Sequence, residues 1–421
     1  MHQIPATARG MKNAAQIVGW GLSEVGSRLG KSPTHLVNQA LGRAMRHAGI
    51  GPTHLDGFLA CPSLAEPRFM PAHCLASACG IIPRSNTVVL SVDTGGASPV
   101  SMLLQAKTLV ERGVCSAVAV VAGDAVSSMP SQAFLEAADS ACQLPGKVEG
   151  GVEAKVKAAH HLESPKIPHG YSHAAEAHMK AYPKLKREHL AMVSVLMSHQ
   201  GSKHPLAASK LTLQLHQVLS SPLVAPHTSQ LECARRSDGA AAVVVASDHL
   251  AATSLAPGPR ITGGGEASGA AFFPSDLGDT LRCLEGGGDA FRKAYQEAGR
   301  SSGDIDWFGI YDCYPICFVR GLEAAGLCAE GEGGEYVEAA YNKLIKSGSL
   351  SCGEFPINTH GGLLGFGAPW EVPALFSVVE ACEQLTGRAA SERQLSRCRS
   401  AVVYGNGGVF GASAVAVLEQ R

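Results

Sequence analysis

The chain has 421 residues, 45% hydrophobic and 17% charged, enough to bury two substantial α/β cores. Its formal net charge of −1 offers no basic field for nucleic acid or an anionic membrane. The 13 cysteines and 17 histidines are scattered, with no CxxC pair and no Cys/His metal spacing, as in a reduced chain where Cys acts as a small hydrophobe. No run of about 18 apolar residues marks a membrane span. The opening MHQIPATARGMKN lacks the apolar core of a signal peptide, so a cytoplasmic location is expected.

NAAQIVGWG (13–21) reads as a strand ending in glycine. Ser32 to Ala48 has helical periodicity and Gly49 stops it. HLDGFLAC is the next strand, and Pro71 to Gly80 a short helix. From Val88 to Ala125 the pattern is strand, glycine turn, helix, strand. Asp93, Thr94, Gly95 and Gly96 break the first strand, Ser98 sits where an N-cap would, and Pro99 takes the first helical position. Such a turn aims backbone N–H groups at whatever lies above the strand end, a place that attracts negative charge.

Between about Ser127 and Gln230 charge and histidine rise. Two amphipathic helices joined near Pro183 read as an insertion lying over the core, a candidate lid. His173 and His178 fall there in a helix read as charged and exposed, five apart and off a common face. RRSDGAAAVVVASDHL reads as a turn at Asp238–Gly239 and then a strand. Pro257 to Pro259 reads as a linker, and PRITGGGEA repeats the pattern of the opening strand. The lone GGG at 263–265 has no phosphate-binding continuation. A helix at 289–298, the strand DWFGIYDCY, and a helix from about Pro315 to Ala325 follow. Residues 326–356 are Gly- and charge-rich with a short helical piece. A glycine loop with a helix after it, then the strands RSAVVYGNGG and FGASAVAVLEQ, close the chain. CSAVAVVAGD matches RSAVVYGNGG, and DGAAAVVVAS matches FGASAVAVLE, in the same order, which predicts two copies of one α/β unit around a shared cleft.

The strand–turn–helix at 88–112, SDGAAAVVVAS at 237–247, IYDCY at 310–314, NTHGG at 358–362 and GNGGVFG at 405–411 resemble the thiolase superfamily over essentially the whole chain. The likeness is to the branch of sterol-carrier-protein thiolases and bacterial lipid-transfer relatives. It implies a duplicated five-layer α/β/α/β/α fold with an inserted loop domain. The boundaries expected from it are an N-terminal half at 1–126 and 231–256, an insertion at 127–230 and a C-terminal half at 257–421. It also implies no bound cofactor, an acyl-CoA thioester as substrate, a homodimer, and a small zinc-containing OB-fold partner protein.

The departures from the family pattern bear on function. The family's nucleophilic Cys corresponds here to Gly96. The His of its GHP motif corresponds to Ala368, in Gly367-Ala368-Pro369, and its second Cys to Gly405. Without a thiolate there is no acyl-enzyme. What the resemblance retains is the oxyanion hole, whose backbone donors would come from the turns at Gly96 and Gly407.

Tyr311 stands at the place of the family's His or Asn, followed by Asp312, Cys313 and Tyr314. His360 lies in NTHGG, and Tyr404 adjoins the lost second Cys. Each also has a plain structural reading. Only one of Tyr311 and Tyr314 need face the cleft, Asp312 can cap the helix near Pro315, and Cys313 can be core. His360 and Asn358 can tie the loop together, and Tyr404 can be an ordinary strand residue. The resemblance implies a C–C lyase that cleaves a β-hydroxyacyl-CoA, such as a steroid side-chain thioester, by a retro-aldol step. Two other readings stay open: an acyltransferase working without its own thiolate, and a non-catalytic acyl-CoA- or lipid-binding subunit.

Overall fold

A computed structural model describes residues 14–142, 162–252, 258–269 and 286–421. The strands are β1 (Ala15–Leu22), β2 (Gly57–Ala60), β3 (Val88–Ser91), β4 (Ala117–Ala125), a small hairpin of β5 (Leu223–Ala225) and β6 (Thr228–Ser229), β7 (Asp238–Ser247), β8 (Arg260–Ser268), β9 (Trp307–Gly309), β10 (Ser400–Gly407) and β11 (Ala412–Glu419). Their order is β3-β2-β4-β7-β1-β8-β11-β10-β9. The β1–β8 junction rests on one residue pair, Gln16 with Arg260, so it joins two sheets edge to edge.

The two sheets repeat one plan. β4 and β7 pair antiparallel, as do β10 and β11. β2 runs parallel to β4 as β9 does to β10, and β1 is antiparallel to β7 as β8 is to β11. The two internal sequence matches are therefore β4 with β10 and β7 with β11.

Strands of Ala and Val are needed because each sheet is covered on both faces. In β4, Val118 and Val120 pack into one core while Ala119 and Val121 pack into another. β7 divides its Ala and Val residues in the same way. Helix Pro33–Ala48, capped by Ser32 and ended by Gly49 in the left-handed region, covers the outside of the first sheet. Helix Gly286–Ala298 covers the second. Helices Ser98–Glu111 and Pro373–Thr386 lie between the sheets, and both are buried on nearly every side. The layers are thus α/β/α/β/α.

The GGG run now has a physical reason. A Cβ at Gly263 would lie 2.3 Å from the Ala294 carbonyl oxygen, and one at Gly265 would lie 2.0 Å from that of Ala290. Gly19 and Gly21 meet Ala44 and Ala40 in the same way, at 2.2 and 2.6 Å. Alternate glycines on β1 and β8 let each outer helix press its backbone onto its sheet.

Several expectations change. Asp238–Gly239 is not a turn: Asp238 opens β7, fully buried, and its carboxylate accepts from the Leu29, Ser127 and Ser128 amides and both serine hydroxyls. DWFGIYDCY holds a strand only over Trp307–Gly309, because the Asn358 side chain takes both the N–H and the C=O of Ile310. The short helical piece expected within 326–356 runs from Gly333 to Ser347.

The helices flanking Pro183 are Lys166–Ala181 and Arg187–Ser202. The second is buried almost all round, with Gly201 against the backbone of Gly365, so it is part of the core rather than a lid. His178 is fully buried between Glu323 and Arg320, not exposed. The expected linker falls partly on Pro257, outside the described residues. Among the described residues no helix is long and apolar enough to cross a membrane.

The helix–sheet approach gives a direct test. Gly265→Ala should cost about 1–3 kcal/mol in urea unfolding, as overpacking against backbone does. Gly288→Ala, where an added Cβ meets nothing within 4 Å, should be neutral or stabilise by up to about 1 kcal/mol.

Candidate active site

Two glycine turns, one from each half, meet with backbone on backbone. A Cβ at Gly407 would lie 1.7 Å from the Thr94 carbonyl oxygen, and one at Gly95 would lie 2.9 Å from the Gly408 nitrogen. Gly95 adopts φ +60°, a conformation that favours glycine. The turn is closed by Ala97 N–H to Thr94 O at 3.3 Å and Ser98 N–H to Gly95 O at 2.8 Å. Ser98 is not the N-cap expected from the sequence; Ala97 holds that position in a helical conformation. The Ser98 hydroxyl instead accepts from the Thr94 N–H at 2.8 Å and donates to Glu371 at 3.0 Å.

Tyr311 lies over this turn. A Cβ at Gly96 would sit 2.0 Å from the phenolic oxygen and 2.5 Å from Cζ. The phenol therefore fills the space that any side chain at 96 would need. Burial pushes the Tyr311 hydroxyl well above the usual tyrosine range, reinforced by Cys313, Cys317 and Glu371 nearby. Near neutral pH it is a fixed O–H donor, not a phenolate base.

The other expected residues divide. Asp312 is buried, and its two oxygens accept from the Leu363 and Leu364 amides at 2.7 and 3.2 Å. It caps the short helix Gly362–Gly365 rather than the helix at Pro315. Burial lifts its carboxyl to about 7 despite these bonds. Tyr314 stacks on Tyr171 with centroids 4.6 Å apart.

Tyr404 points away from the glycine turns into the outer layer, against Phe291, with its hydroxyl 3.4 Å from Asn406 and Ser413. Gly405, one residue on, faces inward, where a Cβ would lie 3.0 Å from the Ala97 Cα. His360 is buried against Phe366 and Trp307, and burial lowers it to about 4. The charges it feels are Glu380 and Arg393, so it belongs to a different cluster. Asn358 bridges to Ile310, as its plain reading held. The structure thus brings Gly96, Gly407 and Tyr311 together, with Asp312 adjacent in the chain but turned to other partners.

A family profile described as "Thiolase C-terminal domain-like" matches residues 279–420. An acetyl-CoA acetyltransferase of Methanothermobacter thermautotrophicus is 30% identical over 60% of this chain and 63% of its own length. Sterol carrier protein 2 of Oryctolagus cuniculus is 28% identical over 60% of this chain and 45% of its own length. Over residues 279–420 the chain is similar to the C-terminal domain of thiolases, and these two relatives are similar to it over three-fifths of its length. The matches thus span about half to three-fifths of these relatives' lengths. A solved structure described as "Ltp2-ChsH2(DUF35) aldolase" superposes with a TM-score of 0.74, covering 97% of this chain and 98% of that one, at 23% identity, which speaks for the fold alone.

As a thiolase-fold site this one has three gaps. Gly96, Ala368 and Gly405 carry no reactive side chain, and Tyr311 occupies the first of the three places. Two residues that the sequence reading passed over join the site. Glu371 is buried beside Ser98. Tyr171, on helix Lys166–Ala181, donates to the Gly408 carbonyl at 2.7 Å and accepts from the Asn406 amide at 2.7 Å, tying that helix to the second glycine turn.

His204, Glu380 and Glu383 place ligand atoms within 4.8 Å of one another. The buried Arg393 guanidinium already pairs with both carboxylates, so a cation of the protein's own fills that cluster. A groove of about 580 Å³ lined by Val195, His199, Leu215, Tyr341 and Leu344 shares none of these with the glycine-turn cluster.

The contact between Tyr311 and Gly96 can be measured as a coupling. Gly96→Ala should destabilise by about 2–3 kcal/mol in the parent chain and by less in Tyr311→Ala, where the Asn406 carbonyl oxygen, 2.5 Å from the added Cβ, still opposes it. Equal costs in the two backgrounds, read from urea melts, would place the phenol elsewhere.

Proposed function

We propose that this chain is a C–C lyase that cleaves a β-hydroxyacyl-CoA, such as a steroid or similar side-chain thioester, into a carbonyl compound and a shorter acyl-CoA. The observation that carries the reading is the Tyr311 hydroxyl over Gly96, where a nucleophilic side chain would otherwise stand. A covalent acyl-enzyme has no atom to form on there. A neutral O–H donor beside two glycine turns suits a different task, holding negative charge on a thioester oxygen.

Retro-aldol cleavage needs that service and no covalent intermediate. The β-hydroxyl loses its proton, the Cα–Cβ bond breaks, and the electron pair becomes a thioester enolate. The Gly96 and Gly407 amides and the Tyr311 hydroxyl are assigned to the enolate oxygen. Asp312 is assigned to positioning, since both its oxygens hold loop amides. Tyr314, His360 and Tyr404 are assigned no proton transfer, because stacking, the Arg393 cluster and the outer layer respectively hold them elsewhere. The fold neighbour described as "Ltp2-ChsH2(DUF35) aldolase" supports this class of reaction and a partner protein. We propose with it a homodimer and a small zinc-containing OB-fold partner. The acetyltransferase name of the archaeal relative favours the second reading, acyl transfer without a resident thiolate.

Incubation of the purified protein, alone and with its partner, with β-hydroxyacyl-CoAs should release a carbonyl product. Tyr311→Phe should lower kcat about 10²- to 10³-fold, the usual cost of one oxyanion donor. Tyr404→Phe should stay within about 3-fold of the parent, since its hydroxyl lies outside the cleft. Unchanged turnover in Tyr311→Phe, or an acyl group found on a cysteine by mass spectrometry, would reject the mechanism.

A further inference from the structure

The loop that carries Ala368 also carries a charge the reaction has not yet used. Between Glu354 and Glu380, Glu371 is the one acidic or basic side chain apart from His360. It is 9% exposed, and among the described residues it forms no ion pair with a Lys or Arg. Burying a carboxylate without a cation costs several kcal/mol. Asp312 and Asp238 offset that cost with bonds from backbone amides. Glu371 has one strong bond, from the Ser98 hydroxyl at 3.0 Å, with Trp370 adding a weaker contribution.

That bond has a fixed direction. The Ser98 oxygen accepts from the Thr94 N–H, so its own proton points at Glu371. Ser98 lies two residues beyond Gly96, and the charge of Glu371 is felt by Tyr311 itself. The groups that face it are Asp93 after β3, Asp124 at the end of β4, Cys61 after β2 and Tyr311 after β9. None is a cation. Burial and the Asp93 charge lift the Glu371 carboxyl to about 8, close to the range where a group both takes and returns a proton readily.

Resting on the retro-aldol reading, we infer that Glu371 is the proton carrier of this site and a catalytic residue in the strict sense. Its carboxylate takes the β-hydroxyl proton as the O–H pair becomes the carbonyl π bond and the Cα–Cβ bond breaks. The released pair forms the enolate, held by Tyr311 and the two glycine amides. The Glu371 acid then gives the same proton to Cα, and the carboxylate is restored. One C–C bond breaks, one C–H bond forms, and no oxidant, reductant or external proton is required. A glutamate here does a job that thiolates and a histidine would do in a sulfur-based site.

The test compares the parent protein with Glu371→Gln and Glu371→Asp. Glu371→Gln should lose about 10³-fold in kcat with KM within about 3-fold, and Glu371→Asp should recover part of the loss. In the parent, activity should rise with pH toward a plateau above about 8, and this limb should disappear in Glu371→Gln. A second readout needs no turnover. A carboxyl raised on folding contributes stability at low pH that is lost as pH climbs through its folded value. Glu371→Gln, which mimics the neutral acid, should therefore match the parent in Tm at pH 5 and exceed it at pH 9. Turnover of Glu371→Gln within about 3-fold of the parent overturns the inference and leaves the retro-aldol reading standing. Absence of carbonyl release by the parent from every β-hydroxyacyl-CoA tried overturns both, and a Tm gap that does not widen with pH overturns the buried, acid-favouring state of Glu371.

Discussion

One steric fact organises the site: the Tyr311 phenol and a side chain at position 96 compete for the same space, and here the phenol has it. The contact decides chemistry before any charge is considered. A thiolate at 96 would need both a Cβ and a sulfur where Tyr311 now stands. With the ring in place, what the turn can still offer a bound thioester is hydrogen bonds. The burial that shuts out the nucleophile also keeps the phenol protonated, so it stays a donor.

That contact depends on the duplication. Gly96 hangs between β3 and its buried helix in one half, and Tyr311 follows β9 in the other. They meet because the glycines at 95 and 407 let two turns touch backbone to backbone. Further out, Gly19, Gly21, Gly263 and Gly265 set each outer helix on its sheet at the same depth. Glycine thus does two distinct jobs: close approach in the outer layers, and a bare amide surface at the centre. From helix Lys166–Ala181, Tyr171 then fixes the second turn through Gly408 and Asn406.

The fold was readable in the sequence because its signals are periodic and repeated. The matched strands, the Ser32 and Gly49 boundaries and the glycine turns each follow from local rules. What misled was long-range replacement of local partners. Asn358 supplies the hydrogen bonds of a neighbouring strand to Ile310, which shortened a strand that composition had extended. Asp238 looked like a turn residue because Asp-Gly usually is one, yet it anchors residues far off in the chain. At the site, the place of Tyr311 was legible from its motif, but its direction was not. Tyr404 was also a candidate, beside its reading as an ordinary strand residue, and strand alternation turned it outward. Glu371 was passed over because a lone charge after Pro-Trp reads as a solvated loop residue. Only the packing of helix Ser98–Glu111 against that loop removes it from water.

The buried carboxyls show how such groups can be sorted. Asp238 accepts five bonds and is a structural anchor. Asp312 holds two amides, one on each oxygen, and is raised to about 7 by burial; both its oxygens are engaged by the loop. Glu383 is raised to about 7 but is coupled to Arg393, which keeps it tied to a cation. Glu371 alone of the four combines deep burial, a single strong donor and no cation, and it does so next to the turn where Tyr311 lies. The number and kind of partners, rather than the size of the shift, separates a carboxyl that holds a fold together from one left free to exchange a proton. With no thiol or imidazole at positions 96, 368 and 405, that freedom is the chemical capacity still missing from the glycine turns and the phenol.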